Sequence, residues 1–259
     1  MKHLPNILTL CNLVCGCIAM TFILGAYPEL KTVTGETFFP VMGAHKLVYG
    51  SIFILLAALF DVLDGLAARA LNAQSPIGKD LDSLADVVSF GVAPAMIVYQ
   101  LLWMALMSEP KAMNVNPLAT LPAFLLPCFG ALRLARFNQN NKAQAAYFSG
   151  MPIPAAGIMV ALLPLILTYG QGNVIDLFSN KWTLYAIVVL LSYFMVSKIK
   201  FLKWKAPAQG ITAWWPHILI VLTAVIGYFI VGYSALLLAF VVYIITSMLY
   251  KYPENKQLA

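Results

Sequence analysis

Asp61, Asp64, Asp82 and Asp86 stand in one short stretch, DVLDGLAARALNAQSPIGKDLDSLAD, which holds five of the chain's ten acidic residues. On a helix, residues three or four apart share a face, so Asp61 pairs with Asp64 and Asp82 with Asp86. A loop carrying Asn72, Ser75, Pro76 and Gly78 separates the pairs and lets two helices run antiparallel, bringing four carboxylates to one pocket. Asp80 lies about 160 degrees from Asp82 around an ideal helix and is expected to face elsewhere. Like charges gathered in this way require cations. Oxygen donors without histidine or cysteine favour magnesium, manganese or calcium over zinc. Two such ions side by side suit phosphoryl transfer, one at the attacking oxygen and one at the leaving oxygen. Gly65, Ala68 and Gly78 are small enough for a phosphate-bearing ligand to approach, and Arg69 supplies a fixed cation. Aspartates inside a membrane also serve as proton relays or ion sites in transporters, which is the competing reading.

The elements that position these residues are set by composition. The chain is 61% hydrophobic and 10% charged over 259 residues, with a mean hydropathy of +0.84, which excludes a water-solvated globule. Runs long enough to span a bilayer are drawn at roughly 7–27, 47–71, 84–107, 118–137, 152–171, 182–198, 214–232 and 234–251. The expected fold is therefore all-α: a polytopic membrane helix bundle of about eight transmembrane helices, forming a single integral membrane domain over 1–259. Pro152, Pro154 and Pro164 are expected to kink the fifth run.

Lysine and arginine set the orientation. With the N-terminus inside, twelve of the sixteen basic residues are cytoplasmic, leaving Lys31, Lys46, Lys111 and Lys181 outside. The net charge of +6 is then a matter of topology and anionic membrane lipids, with no need for nucleic acid as a partner. Cys11, Cys15, Cys17 and Cys128 lie inside apolar runs and read as small core residues rather than a disulfide framework. The LKWK and YKYPENKQLA stretches read as solvated cytoplasmic ends, and His217 beside Trp214 and Trp215 as part of an aromatic interface belt.

Asp61, Asp64, Gly65, Ala68, Arg69, Gly78, Asp82 and Asp86 together resemble, position by position, the signature of the CDP-alcohol phosphatidyltransferase family. Members of that family are integral membrane enzymes that displace CMP from a CDP-linked lipid with an alcohol, using divalent metal. The resemblance implies Asp61, Asp64 and Asp82 as metal ligands, and Asp86, also near the metals, as the base that activates the acceptor. It further implies Mg2+ or Mn2+, two ions, a six-helix catalytic core within roughly 1–200, C-terminal helices over 214–251 as an addition, and a homodimer. LPNILTLCNLVCG, GALRLARFN and FSGMPIPAAG are similar to the integral-membrane, serine-accepting branch of the family over roughly residues 4–157. On that likeness the donor is CDP-diacylglycerol and the acceptor L-serine, with glycerol 3-phosphate or inositol as alternatives. The expected location is a bacterial-type inner membrane, with N-terminus and active site cytoplasmic.

Three further groups complete the expected site. Asn6, Thr9 and Asn12 recur every three residues at the inner end of the first helix, where they reach either the nucleotide and metal site or a neighbouring helix. Arg133 and Arg136 share a face at the inner end of the fourth, followed by Asn138. A guanidinium can hold a serine carboxylate with two parallel hydrogen bonds, although arginines there also act as positive-inside anchors. Ser149, before Gly150 and Pro152, is expected either to line the acceptor pocket or to turn the chain into the fifth helix.

Overall fold

The computed structural model describes residues 3–26, 28–32, 38–108, 116–139, 147–170, 173–202 and 214–250. Lys2, Lys111, Lys142, Lys203, Lys205, Lys251 and Lys256, part of the charge argument for topology, lie outside the described residues.

Helix α1 (Leu4–Leu24) starts with Pro5 in its first turn, where a missing N–H leaves no bond unmade. A small antiparallel ribbon, β1 (Pro28–Thr32) with β2 (Phe38–Met42), leads to α2 (Ala44–Ala70), which packs along α1. Leu71 ends α2, and Asn72 turns the chain with φ of 48°. Ser75 caps α3 (Pro76–Asp86) by accepting a hydrogen bond from the Gly78 N–H at 3.0 Å, with Pro76 at the first position. The expected loop is thus a compact turn whose residues act as helix punctuation.

The third membrane crossing is longer than its apolar run. Helix α3, a π-helical segment at Val87–Val92 and α4 (Ala93–Met107) form one continuous span, Pro76–Met107. Hydropathy places its start near 84 because Lys79, Asp82 and Asp86 interrupt the apolar pattern while the helix continues. A 3-10 turn (Pro117–Phe124) runs into α5 (Leu125–Gln139). Next come β3 (Tyr147–Ser149), α6 (Ile153–Tyr169), the short α7 (Asn173–Ser179), α8 (Lys181–Val196) and β4 (Lys200–Leu202). Helices α9 (Trp215–Val231) and α10 (Ser234–Leu249) form a closing hairpin.

The all-α bundle is as expected, with two short ribbons added. Pro152 precedes α6 and Pro154 sits in its first turn, so only Pro164 lies in its interior. Among the described residues, four helices are long and apolar enough to cross a membrane: Leu4–Leu24, His45–Ala70, Pro76–Met107 and Pro117–Gln139. Four further apolar helices, α6, α8, α9 and α10, run 16 or 17 residues. The eight expected spans therefore divide into four of full length and four shorter ones.

The buried core, with Phe90, Ile97, Leu102, Ile153, Leu163 and Leu184, lies among α4, α6, α8 and the π-helical segment. Apolar side chains on the outer faces, such as Ile52, Leu59, Val189 and Phe229, are exposed, as lipid-facing residues are. His217 is 6% exposed, its ring 5.4 Å from Trp214, so it is packed in rather than set in a wet interface belt. Leu202, the first residue of the LKWK string, is buried in β4 and not solvated, because β4 pairs with β3 and packs beneath α10.

Candidate active site

The carboxylates meet where the ends of α1, α2 and α3 converge. One oxygen from each of Asp61, Asp64 and Asp82 lies within 4.8 Å of the others. Asp64 is 6% exposed, while Asp61 and Asp82 are half-buried. Asp82 Oδ1 is buried without a hydrogen-bond partner, which in an unmetallated protein would carry a full desolvation cost. An all-oxygen set with an orphaned buried oxygen fits a hard divalent cation, which would supply the missing partner. Asp80, the residue expected to face elsewhere, is exposed.

Asp86 stands apart from the group of three. It is 6% exposed and receives a hydrogen bond from Asn12 Nδ2 at 3.4 Å. The π-helical segment begins at the next residue and is clamped to α1, where Ser89 Oγ donates to the Asn12 carbonyl at 3.0 Å. A π turn adds a residue to the helical ladder, so it changes the direction in which side chains leave the axis, and such turns often mark functional sites. Gly157 on α6 permits the close packing, since a Cβ there would lie 2.8 Å from the Phe90 carbonyl oxygen.

Asn6, Thr9 and Asn12 of α1 all reach this region. Thr9 Oγ1 lies 2.6 Å from Asp64 Oδ2 and 3.1 Å from the Pro5 carbonyl, and with one proton to give, the shorter contact is the charge-assisted one. Asn6 Oδ1 faces Gly78, where a Cβ would meet it at 3.1 Å. Gly65 leaves room for the Arg69 guanidinium, whose nitrogens lie 3.7 and 3.8 Å from where a Cβ would sit. Arg69 is exposed and Ala68 half-buried, both on the loop side of the carboxylates.

A second feature opens beside the carboxylates. Arg133, Arg136, Phe137, Tyr147, Ser149, Met195, Val196, Ser197, Lys198 and Lys200 line a cavity of about 450 Å3. Arg133 is 6% exposed, sits 5.8 Å from the ring centres of both Phe137 and Phe148, and lies within electrostatic reach of Asp86. Its Nε is buried without a hydrogen-bond partner. A buried guanidinium with an unmade bond, close to two aromatic rings, is a ready receptor for a carboxylate or phosphate.

The structure therefore brings Arg133, Arg136 and Ser149 to one cavity but sets Asn138 outside its lining. The Asn138 amide donates to Ser83 Oγ at 2.8 Å and its carbonyl accepts from Lys79 Nζ at 3.2 Å, tying α5 to α3. Tyr147, Lys198 and Lys200 were missed by sequence reasoning. They reach the cavity through the pairing of Tyr147 with Leu202 and Ser149 with Lys200, which joins segments some fifty residues apart. The lysines counted toward topology were the only available signal.

A family model for CDP-alcohol phosphatidyltransferase matches residues 2–194. Relatives named CDP-diacylglycerol–serine O-phosphatidyltransferase are similar as well. The Bacillus subtilis protein is 33% identical over 213 residues, covering 80% of this chain and 94% of that protein. The Helicobacter pylori protein (strain 26695) is 34% identical over 166 residues, covering 62% and 64%. The Methanocaldococcus jannaschii protein is 36% identical over 152 residues, covering 58% and 62%. The chain thus spans nearly all of the first relative and under two thirds of the other two. The matched length includes every aspartate of the site and most of the helices that carry it, so the chain is a transferase belonging to the CDP-alcohol phosphatidyltransferase family.

Proposed function

We propose that the chain transfers the phosphatidyl group of CDP-diacylglycerol to the hydroxyl of L-serine, forming phosphatidylserine and releasing CMP. The observation that carries this reading is the position of Arg133, which lines the cationic cavity and lies within electrostatic reach of Asp86. A serine carboxylate held at Arg133 leaves the hydroxyl free to turn toward Asp86. The names of the similar proteins support serine as the acceptor.

Asp61, Asp64 and Asp82 would hold Mg2+ or Mn2+, two ions in all, with Asp86 beside them. Bound metal would neutralise the pyrophosphate and stabilise the charge that develops on its oxygens. Asp86 accepts the serine hydroxyl proton as the oxygen attacks the phosphorus bearing diacylglycerol. The phosphorus–oxygen bond to CMP breaks, and CMP leaves as an anion. Asn12 holds one Asp86 oxygen, leaving the other to take the proton. Thr9 fixes Asp64, while Asn6, Gly65, Ala68, Arg69 and Gly78 form the nucleotide-facing wall. Arg133, Arg136 and Ser149 bind the acceptor, and Asn138 supports them by bracing α5 against α3.

The same reading makes the chain a single membrane domain with a catalytic core over about 1–200 and working as a homodimer. It places the site on the cytoplasmic face of a bacterial-type inner membrane, where CDP-lipid is made and CMP recycled. The test is release of CMP from CDP-diacylglycerol by purified protein with magnesium or manganese, run with serine, glycerol 3-phosphate and inositol in parallel. Serine-dependent CMP release supports the assignment. Release with another alcohol only would reassign the acceptor, and ion flux in liposomes without CMP release would sink the transferase reading.

In the acceptor cavity, Arg133→Lys keeps the charge but loses the planar fork. The expected result is a serine KM raised about ten-fold, equivalent to one charge-assisted hydrogen bond, with CDP-diacylglycerol binding little changed. Unchanged serine dependence together with lost donor affinity would move Arg133 to the phosphate.

A further inference from the structure

Three of the ten residues that line the acceptor cavity are carried by a ribbon that cannot stand alone. Strands β3 and β4 pair over only three residues each, and an isolated two-stranded ribbon is marginal without packing against another element. Tyr147, Ser149 and Lys200 of the cavity all belong to it. One end is anchored to the segment that leaves α8: Gly150 N–H donates to the Ile199 carbonyl and Met151 N–H to the Phe194 carbonyl, both at 2.9 Å. Gly150 adopts φ of 76° to make this turn. The other support comes from α10, beyond the family-matched residues 2–194.

Helix α10 holds β4 at two points. Ser247 Oγ accepts the Leu202 N–H at 3.2 Å, satisfying a buried backbone donor that β3 does not reach. Tyr243, one turn earlier and hydrogen-bonded to Ser247, places its ring 6.0 Å from that of Phe201. Phe201 is fully buried and lies 6.1 Å from Phe194 on α8, so β4 is pinned between α8 and α10. Tyr243 is also within electrostatic reach of Arg133. The helix that supports the ribbon thereby faces the guanidinium opposite it.

We infer that the C-terminal hairpin, through Ser247 and Tyr243 on α10, is a positioning element for the acceptor cavity and sets affinity for the acceptor without touching it. The inference rests on the cavity being the serine site. It requires the hairpin to act on one substrate only, since the carboxylates and the nucleotide-facing wall are built from α1, α2 and α3.

The experiment uses full-length protein in lipid, with serine and CDP-diacylglycerol saturations measured separately for Ser247→Ala, Ser247→Thr, Tyr243→Phe and Arg133→Lys. Ser247→Ala leaves the Leu202 N–H unpaired in the interior, and the expected result is a serine KM raised about ten-fold. The turnover number at saturating serine and the donor KM should stay within about two-fold, because α10 does not contact the carboxylates. Ser247→Thr, which restores the hydroxyl, should recover most of the serine affinity. Tyr243→Phe keeps the ring on Phe201 and should raise the serine KM by a smaller factor; it answers the same question if Ser247→Ala does not fold. A raised serine KM in Arg133→Lys with none in Ser247→Ala or Tyr243→Phe would overturn the hairpin's role and leave the acceptor site standing. No change in any of the variants would overturn the acceptor site, and this inference with it. Equal loss of serine and donor affinity, or lost thermal stability with both constants unchanged, would make the hairpin a general support and overturn the inference.

Discussion

The carboxylates differ in what surrounds each of them. Asp61, Asp64 and Asp82 share a 4.8 Å group with an orphaned oxygen, whereas Asp86 is held separately by Asn12. Asn substitution at any of the three should therefore abolish metal binding measured by calorimetry, together with turnover. Asp86→Asn should keep metal and donor binding while losing turnover by orders of magnitude, and Asp80→Asn, on an exposed position, should keep both. Near-normal turnover in Asp86→Asn would remove it as the base. Thr9 tests the shell behind the ligands, because its hydroxyl orients Asp64. Thr9→Val should weaken metal affinity by about ten-fold or more, and rescue of activity at high metal concentration would distinguish this from misfolding. The gathering of the carboxylates was legible in the sequence because helical spacing fixes which of them share a face, whereas the roles of ligand and base were implied by the family resemblance. That Asp86 falls outside the group of three was not legible, since it rests on the packing of α3 against α1, where Asn12 holds it.

Among the elements, α6 crosses closely over the π-helical segment that directly follows Asp86. Gly157 meets the Phe90 backbone where any side chain would collide, with a Cβ 2.8 Å from the carbonyl oxygen and 2.9 Å from Cα. Backbone cannot yield as a flexible side-chain tip can, so the helices must separate. Gly157→Val should reduce the yield of folded protein, and in the fraction that folds, turnover should fall more than metal affinity, because Asp86 directly precedes the π-helical segment while Asp61 and Asp64 lie on α2 and Asp82 one turn earlier on α3. Equal activity per folded molecule would show that the π segment tolerates the shift. Helix existence was readable from the apolar runs, while Ser75 and Pro76, read as loop, and Pro154, read as a kink, lie at helix starts. The β3–β4 ribbon was not, because three-residue strands from distant loops carry no periodicity and owe their order to α8 and α10. For the same reason Lys198 and Lys200 could be counted in the sequence but not assigned to the cavity.

At the scale of the whole molecule, the arrangement follows if all eight apolar helices cross. Asn6, Asp64, Gly78, Asn138, Ser149 and Lys200 are joined by contacts at one end, which requires α1 to start there, α2 to end there, and each later crossing to alternate. Helices of 16 or 17 residues rise only about 25 Å, short of a hydrocarbon core of about 30 Å, so local thinning or snorkelling must make up the difference. Basic residues on the site end, Arg69, Lys79, Arg133, Arg136, Lys198 and Lys200, favour the cytoplasm. Single cysteines in a background without Cys11, Cys15, Cys17 and Cys128 can test both points at once. Gln74→Cys, in the turn between α2 and α3, should react with a membrane-impermeant maleimide only from the inner face of sealed vesicles. Ser108→Cys at the end of α4 and Val231→Cys at the end of α9 should react only from the outer face. Inner labelling at 231 with the expected result at 74 and 108 would mean that α9 does not cross and that the hairpin lies at the inner surface. Outer labelling at 74 would invert the molecule and place the carboxylates away from the cytoplasmic pool of CDP-lipid.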